Sequence, residues 1–176
     1  MKLYNKLYNK YYPKGLKLAI CKTKVVYGPK KYANTFEHIV PRKLLKTKQE
    51  ICDLHNMFGA PSKENNDRGS KKFSEIKNDT KSWYLKEDDR GCISRAIIYM
   101  YSIYNSFDIE ELVYISSLFQ WFLLFPPTKS ELLHNMIATR YLGHSNPLIS
   151  KYDEACIILS EGFDKLVLWI RDQIKV

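Results

Sequence analysis

The sequence predicts an α+β fold in a single domain, and three observations carry that reading. Short extended segments closed by proline or glycine fill the first part of the chain. A strand, strand, helix order lies between Thr35 and Phe73, and from Ile93 onward apolar residues recur at helical spacing. At 176 residues the chain can bury roughly two-thirds of its unfolded surface around one core. With 45% apolar and 27% charged residues it falls outside the disordered class. No stretch is long enough to serve as a linker, so residues 1–176 are expected to form one domain.

Taken in order, residues 1–15 carry Leu-Tyr-Asn-Lys twice, a local tyrosine-rich segment that Pro13 and Gly15 break. Residues 16–27 partly alternate apolar and polar and predict a strand or strand pair, ended by Gly28-Pro29. A second extended piece spans Thr35–Val40 and stops at Pro41. The basic linker Arg42–Gln49 reads as a short helix or loop. Residues 51–58 alternate well enough for another strand, with Gly59 and Pro61 as its turn. Pro61-Ser62 suits a helix start, and a short polar helix is expected to about Phe73. Residues 74–90 are polar and predict a loop anchored by Trp83 and Tyr84.

The remainder reads as helical. Ala96, Ile97, Met100, Tyr101 and Tyr104 share one face. Asp108 with Glu111 fits a capping box opening a helix from Ile109 to about Phe125, which Pro126-Pro127 ends. Thr128 with Glu131 is a second such box, opening a helix to about Leu142 with Gly143 placed as its C-cap. Asn146-Pro147 turns the chain. The last predicted helix, Tyr152–Lys175, carries Ile158, Leu159, Phe163, Leu166, Val167 and Ile170 as its stripe.

Lysine and arginine outnumber acids 28 to 19, a formal charge of +9. That excess favours a polyanionic partner, most often nucleic acid. The four cysteines, Cys21, Cys52, Cys92 and Cys156, are dispersed without a C-x-x-C pair, as expected for reduced thiols. The first residues hold lysines and tyrosines where a signal peptide needs an apolar run. The longest apolar stretch, Ile115–Phe125, is too short to span a bilayer. The expectation is a soluble, intracellular protein with no membrane partner.

The chemistry-bearing residues cluster between Thr35 and Phe73. Hydrolysis of a phosphodiester needs a base for water and a cation to hold charge on the phosphate. Glu37 and His38 are adjacent. On a strand they would diverge to opposite faces, but at a strand end both could reach one cleft. A hard cation such as Mg²⁺ uses one or two protein oxygens and keeps several waters. Glu37 with Asn65 on the following helix would suffice, leaving His38 as the base. His55 and Asn56 read as hydrogen-bonded groups supporting the site from behind. Asp67-Arg68 is either an internal ion pair or, through the forked donors of Arg68, a phosphate contact with Asp67 in support. Arg42, Lys43, Lys46, Lys48, Lys71 and Lys72 flank the cluster and suit the nucleic-acid backbone, and among them Arg42, Lys46, Lys71 and Lys72 are the candidate phosphate contacts.

These residues resemble the endonuclease I family of non-specific ββα-metal (His-Me finger) nucleases. The resemblance is carried by Glu37-His38-Ile39-Val40-Pro41, Asp53-Leu54-His55-Asn56, Asn65-Asn66-Asp67-Arg68 and Ser94-Arg95-Ala96 with Tyr99-Met100. Trp121, Pro126-Pro127, Glu131, Asn135, Gly143 and Asn146-Pro147 follow in the family's order. It covers about residues 16–149, leaving 150–176 as a helical extension. It implies a ββα-metal core with a small antiparallel sheet packed against several helices. It also implies His38 as general base, Glu37 and Asn65 as metal ligands, and one Mg²⁺, with Mn²⁺ or Ca²⁺ as substitute ions. Such enzymes cut DNA, and often RNA, with little sequence preference, leaving 5′-phosphate and 3′-hydroxyl ends. Asn66 stands where the family has glycine, and His134 where it usually has arginine. The alternative is a basic nucleic-acid-binding protein that keeps the fold without turnover.

Overall fold

The computed structural model describes residues 9–10, 12–13 and 15–174. The Leu-Tyr-Asn-Lys repeat falls, apart from residues 9–10, outside them. Among the described residues the fold is mixed α and β: nine α-helices with two sheets of two strands each.

The site-bearing unit is an antiparallel ribbon followed by a helix. Strand β1, Thr35–His38, pairs with β2, Met57–Ala60, placing Phe36 opposite Gly59, Glu37 opposite Phe58 and His38 opposite Met57. Helix α3, Ser62–Arg68, follows directly after Pro61. Its first turn is tied to the entry of β1: the Asn34 side-chain oxygen accepts from the Ser62 amide at 2.9 Å and its hydroxyl at 2.7 Å. The helix stops at Gly69, whose φ of +56° is open to glycine and strained for other residues, and so ends short of the predicted Phe73.

Several elements depart from the sequence reading, each for a local reason. Residues 16–21 form helix α1, Leu16–Cys21, rather than a strand. Leu16 and Ile20, one turn apart, are buried in a cluster with Phe36, Leu54 and Met57, and packing overrides the partial alternation. Extended pairing begins only at Val25, which bridges Gly59 in parallel, with the Val26 amide donating to the Gly59 carbonyl at 2.9 Å. Gly59 is therefore not a turn residue. A Cβ there would lie 2.8 Å from the Cys21 Cα, so the bare backbone lets α1 sit against β2.

The second strand likewise starts later than the alternation suggests. Helix α2, Lys48–Cys52, is opened by a full capping box between Thr47 and Glu50. The Asp53 carboxylate then accepts from the His55 amide at 2.8 Å, winding Leu54–Asn56 into a 3-10 turn. Side-chain bonds of this kind offer the backbone an alternative to a ladder.

The predicted loop over 74–90 contains two short parallel strands, β3 (Phe73–Ser74) and β4 (Trp83–Tyr84), and the start of helix α4, Glu87–Tyr104. Three acids, Glu87, Asp88 and Asp89, occupy the first turn of α4, where the helix dipole favours them. The long helix expected from Ile109 is a 3-10 turn, Ile109–Glu111, and then α5, Ile115–Leu124. Asp108 accepts from the Glu110 amide instead of opening a longer helix, and the Glu110 carboxylate accepts from the Ile115 amide.

Helix α6, Lys129–Leu142, matches its predicted caps: Thr128 accepts from the Glu131 amide, and Gly143 is left-handed. The box is half made, because the Glu131 carboxylate is engaged by Arg95. Asn146 caps the single turn α7, Pro147–Ser150. The predicted final helix is two, α8 (Tyr152–Glu161) and α9 (Phe163–Ile174), parted at Gly162 with φ +137°.

The main core lies where α4, α5, α8 and α9 meet one another and the ribbon, with Ile97, Tyr99, Trp121, Phe122 and Leu166 buried in it. A smaller cluster fills the space between α1, the ribbon and Ala138 of α6. All four cysteines are free thiols. No helix among the described residues is long and apolar enough to cross a membrane.

Candidate active site

The end of β1 and the C-terminal half of α3 wall a cleft of about 660 Å³, completed by Lys17 of α1 and by Pro41, Arg42 and Lys43. Glu37, His38 and Asn65 all line it. Alternation along a strand separates neighbouring side chains, but β1 ends at His38, and beyond that point the chain turns so that both side chains border one space.

The His38 ring is fixed from behind. Its Nε2 lies 2.9 Å from the Ile51 carbonyl, which can only accept, so in the neutral ring the proton is on Nε2 and the lone pair on Nδ1. Burial lowers its pKa to about 4, with the Ile51 carbonyl opposing and the Arg42 and Arg68 charges adding to the effect. The ring is thus neutral near pH 7 and able to accept a proton.

Glu37 is 2% exposed. Its Oε1 accepts from the Tyr27 hydroxyl at 2.7 Å and from Arg68 Nη1 at 2.9 Å. Burial raises its pKa to about 7, against the pull of Arg68 and Tyr27. Asn65 donates its Nδ2 to the Phe36 carbonyl at 2.7 Å, so the amide oxygen is the end turned away from the strand.

Asn56 supports β1 by acting as a strand partner beyond the last pair. Its side-chain oxygen accepts from the Val40 amide at 2.8 Å, and its Nδ2 donates to the Val40 carbonyl at 3.1 Å. The Ile39 amide also donates to the Asn56 carbonyl.

Arg68 corrects the phosphate-contact expectation. Its guanidinium is buried, bonded to Glu37, to the His38 carbonyl at 3.1 Å and to the Ile39 carbonyl at 2.9 Å, and it lies over the Phe73 ring at 4.3 Å. It pairs inward with Glu37, not with its neighbour Asp67. Asp67 points outward, with Lys63 at 3.8 Å, and does not support the site. Lys72 pairs with Glu110 at 3.2 Å and packs on Tyr114; it, Lys71 and the exposed Lys46 do not line the cleft. Asn66 is exposed and helical, so the tolerance of unusual backbone angles expected of it is not called upon.

Of the flanking cations, Arg42 lines the cleft as expected, together with Lys43. Lys17 was missed because its segment read as a strand. Tyr27 was missed because nothing in the sequence near Gly28-Pro29 announces that its hydroxyl meets Glu37.

His55 does not reach the cleft. It is 1% exposed, its Nε2 is 3.2 Å from the His144 carbonyl, and its Nδ1 is buried without a hydrogen-bond partner among the described residues. Burial lowers its pKa to about 3. A depressed histidine contributes stability above its unfolded pKa of about 6.5, lost as pH falls towards the folded value. Protonation of His55 is therefore expected to steepen the loss of stability below pH 6.5 by up to about 1.4 kcal/mol per pH unit. Urea unfolding of wild type and His55→Leu between pH 7 and 4.5 checks this. The variant's curve should be shallower, and parallel curves would exclude His55 as a source of acid lability.

The donor set suits a hard cation. Glu37 offers a carboxylate and Asn65 an amide oxygen on one cleft, a number and type adequate for Mg²⁺ with water filling the remaining positions. No group of three or more His, Cys, Asp or Glu that could hold a metal occurs among the described residues. Neither a scan against protein-family models nor a search of curated proteins finds a match to this chain.

Proposed function

We propose that this cleft is the active site of a Mg²⁺-dependent nuclease with little sequence preference, acting on DNA, and that β1, β2 and α3 form a ββα-metal core of the endonuclease I type. The observation that carries the reading is the convergence of Glu37, His38 and Asn65, from two separate elements, on one cleft edged by Lys17, Arg42 and Lys43. A phosphodiester brings its own negative charge to such an edge, and contacts to phosphate carry no sequence information.

Glu37 and Asn65 would hold the cation, which when bound supplies positive charge beside the phosphate. His38, its Nε2 proton committed to Ile51, takes the proton of the attacking water on Nδ1. Water oxygen then bonds to phosphorus as the bond to the 3′-oxygen breaks; that oxygen takes a proton from solvent water and His38 returns its own to solvent, leaving a 5′-phosphate and a 3′-hydroxyl. Arg42, Lys43 and Lys17 bind and orient the backbone on either side of that phosphate.

The test is plasmid nicking by the full chain with Mg²⁺ and with EDTA. The expected result is relaxation of supercoiled DNA with Mg²⁺, none with EDTA, and ends that a ligase reseals. Salt-sensitive DNA binding with no cleavage under Mg²⁺, Mn²⁺ or Ca²⁺ would instead mark a non-catalytic nucleic-acid-binding protein.

A further inference from the structure

We infer that Tyr27 is a positioning residue for the Glu37 carboxylate, and that Asp89 of α4 holds Tyr27 in place to do it. The inference rests on the metal-site reading above and extends it to the helical layer, which no part of the sequence motifs suggests.

Tyr27 adopts φ +70°, one of two non-glycine residues with positive φ among those described. Side-chain-bearing residues seldom adopt that backbone, and such outliers persist where their surroundings over-determine them. Here the surroundings are specific. The Tyr27 amide donates to Asp89 Oδ2 at 2.8 Å, while Asp89 Oδ1 takes Lys24 Nζ at 3.0 Å. Lys24 is pinned further by the Asp88 carbonyl at 2.9 Å. The ring of Tyr27 meets Trp83 edge-on at 5.4 Å and Phe73 at 6.4 Å. Its hydroxyl then donates to Glu37 Oε1 at 2.7 Å.

Arg68 donates to that same oxygen at 2.9 Å. Two donors converging on Oε1 fix the rotation of the carboxylate group, and neither touches Oε2. A ligand held in one orientation before the cation arrives loses less freedom on binding, which is how groups behind a metal ligand raise affinity. Core packing alone would be met by the Tyr27 ring. The left-handed backbone is needed to bring the hydroxyl to Glu37 while the amide reaches Asp89.

The experiment measures Mn²⁺ binding to the full chain by the electron paramagnetic resonance signal of free Mn²⁺, in wild type and Tyr27→Phe. The variant keeps the ring and removes the hydroxyl. Its dissociation constant is expected to rise about 10–100-fold, with DNA affinity in EDTA unchanged and cleavage recovering as Mg²⁺ is raised. Equal Mn²⁺ affinity in the two proteins would overturn the inference and leave the metal site standing. Absence of Mn²⁺ binding in wild type would overturn both. For Asp89, the paired change Asp89→Leu with Lys24→Met removes the acceptor of the Tyr27 amide and avoids stranding a buried ammonium. The pair should weaken Mn²⁺ binding as Tyr27→Phe does, and wild-type affinity there would remove Asp89 from the chain.

Discussion

Replacing His38 with alanine is expected to slow phosphodiester cleavage by about 10²–10⁴-fold, the usual contribution of a positioned general base, with little change in fold or in DNA affinity. The expectation follows from how the ring is held. Its polar anchor is the Ile51 carbonyl, whereas β1 itself is kept by backbone pairing to β2 and by the Asn56 amide on Val40. Removing the imidazole therefore removes the proposed proton acceptor and leaves the strand in register. Single-turnover cleavage with saturating Mg²⁺, beside a DNA-binding titration in EDTA, measures the two separately. Cleavage retained at a tenth of the wild-type rate would exclude His38 as the base.

The largest effect on stability is expected at Glu131. Its carboxylate takes Arg95 Nε at 2.6 Å and Nη2 at 2.7 Å, while Nη1 donates to the Phe125 carbonyl at 2.7 Å. Both side chains are 1% exposed. Glu131→Gln would leave a guanidinium buried without its counter-charge, a loss of about 3–5 kcal/mol. Thermal unfolding should report a transition lower by roughly 6–20 °C for a chain of this size. Replacing both partners by apolar residues, Arg95→Met with Glu131→Leu, should recover much of that loss, since a buried pair and a well-packed apolar pair differ little. A double variant as unstable as the single would mean that the ion pair is not the source of the effect.

That pair also explains what the sequence could and could not disclose. Arg95, Glu131, Asn135 and Asn146 stood out through the family resemblance, yet they join helices to one another: Arg95 to Glu131, and the Asn146 amide to the Asn135 side chain at 2.9 Å. Helix α6 was legible because both its caps are local, Thr128 and Gly143. Helix α1 was not, because six residues are too few for a period to declare itself, and its conformation is decided by the burial of Leu16 and Ile20 against the ribbon. Glu37, His38 and Asn65 could be singled out by residue type, and all three line one cleft. The direction of Arg68 could not, since its partner lies 31 positions earlier in the chain and Asp67 is the nearer carboxylate. Local chemistry names the candidates; only the tertiary fold decides which of them face the solvent.

The brevity of β1 and β2 bears on how portable this cleft is. Two strands of four residues are at best marginal as an isolated hairpin in water, so residues 35–70 do not make a cassette that could be spliced into another scaffold with the cleft intact. A graft would have to bring Tyr27 from upstream and a helix in the place of α1 to cover Gly59. It would also need the α4 carboxylate that pins the Tyr27 backbone. In an evolving lineage such a ribbon would therefore be inherited with its supporting helices or lost with them.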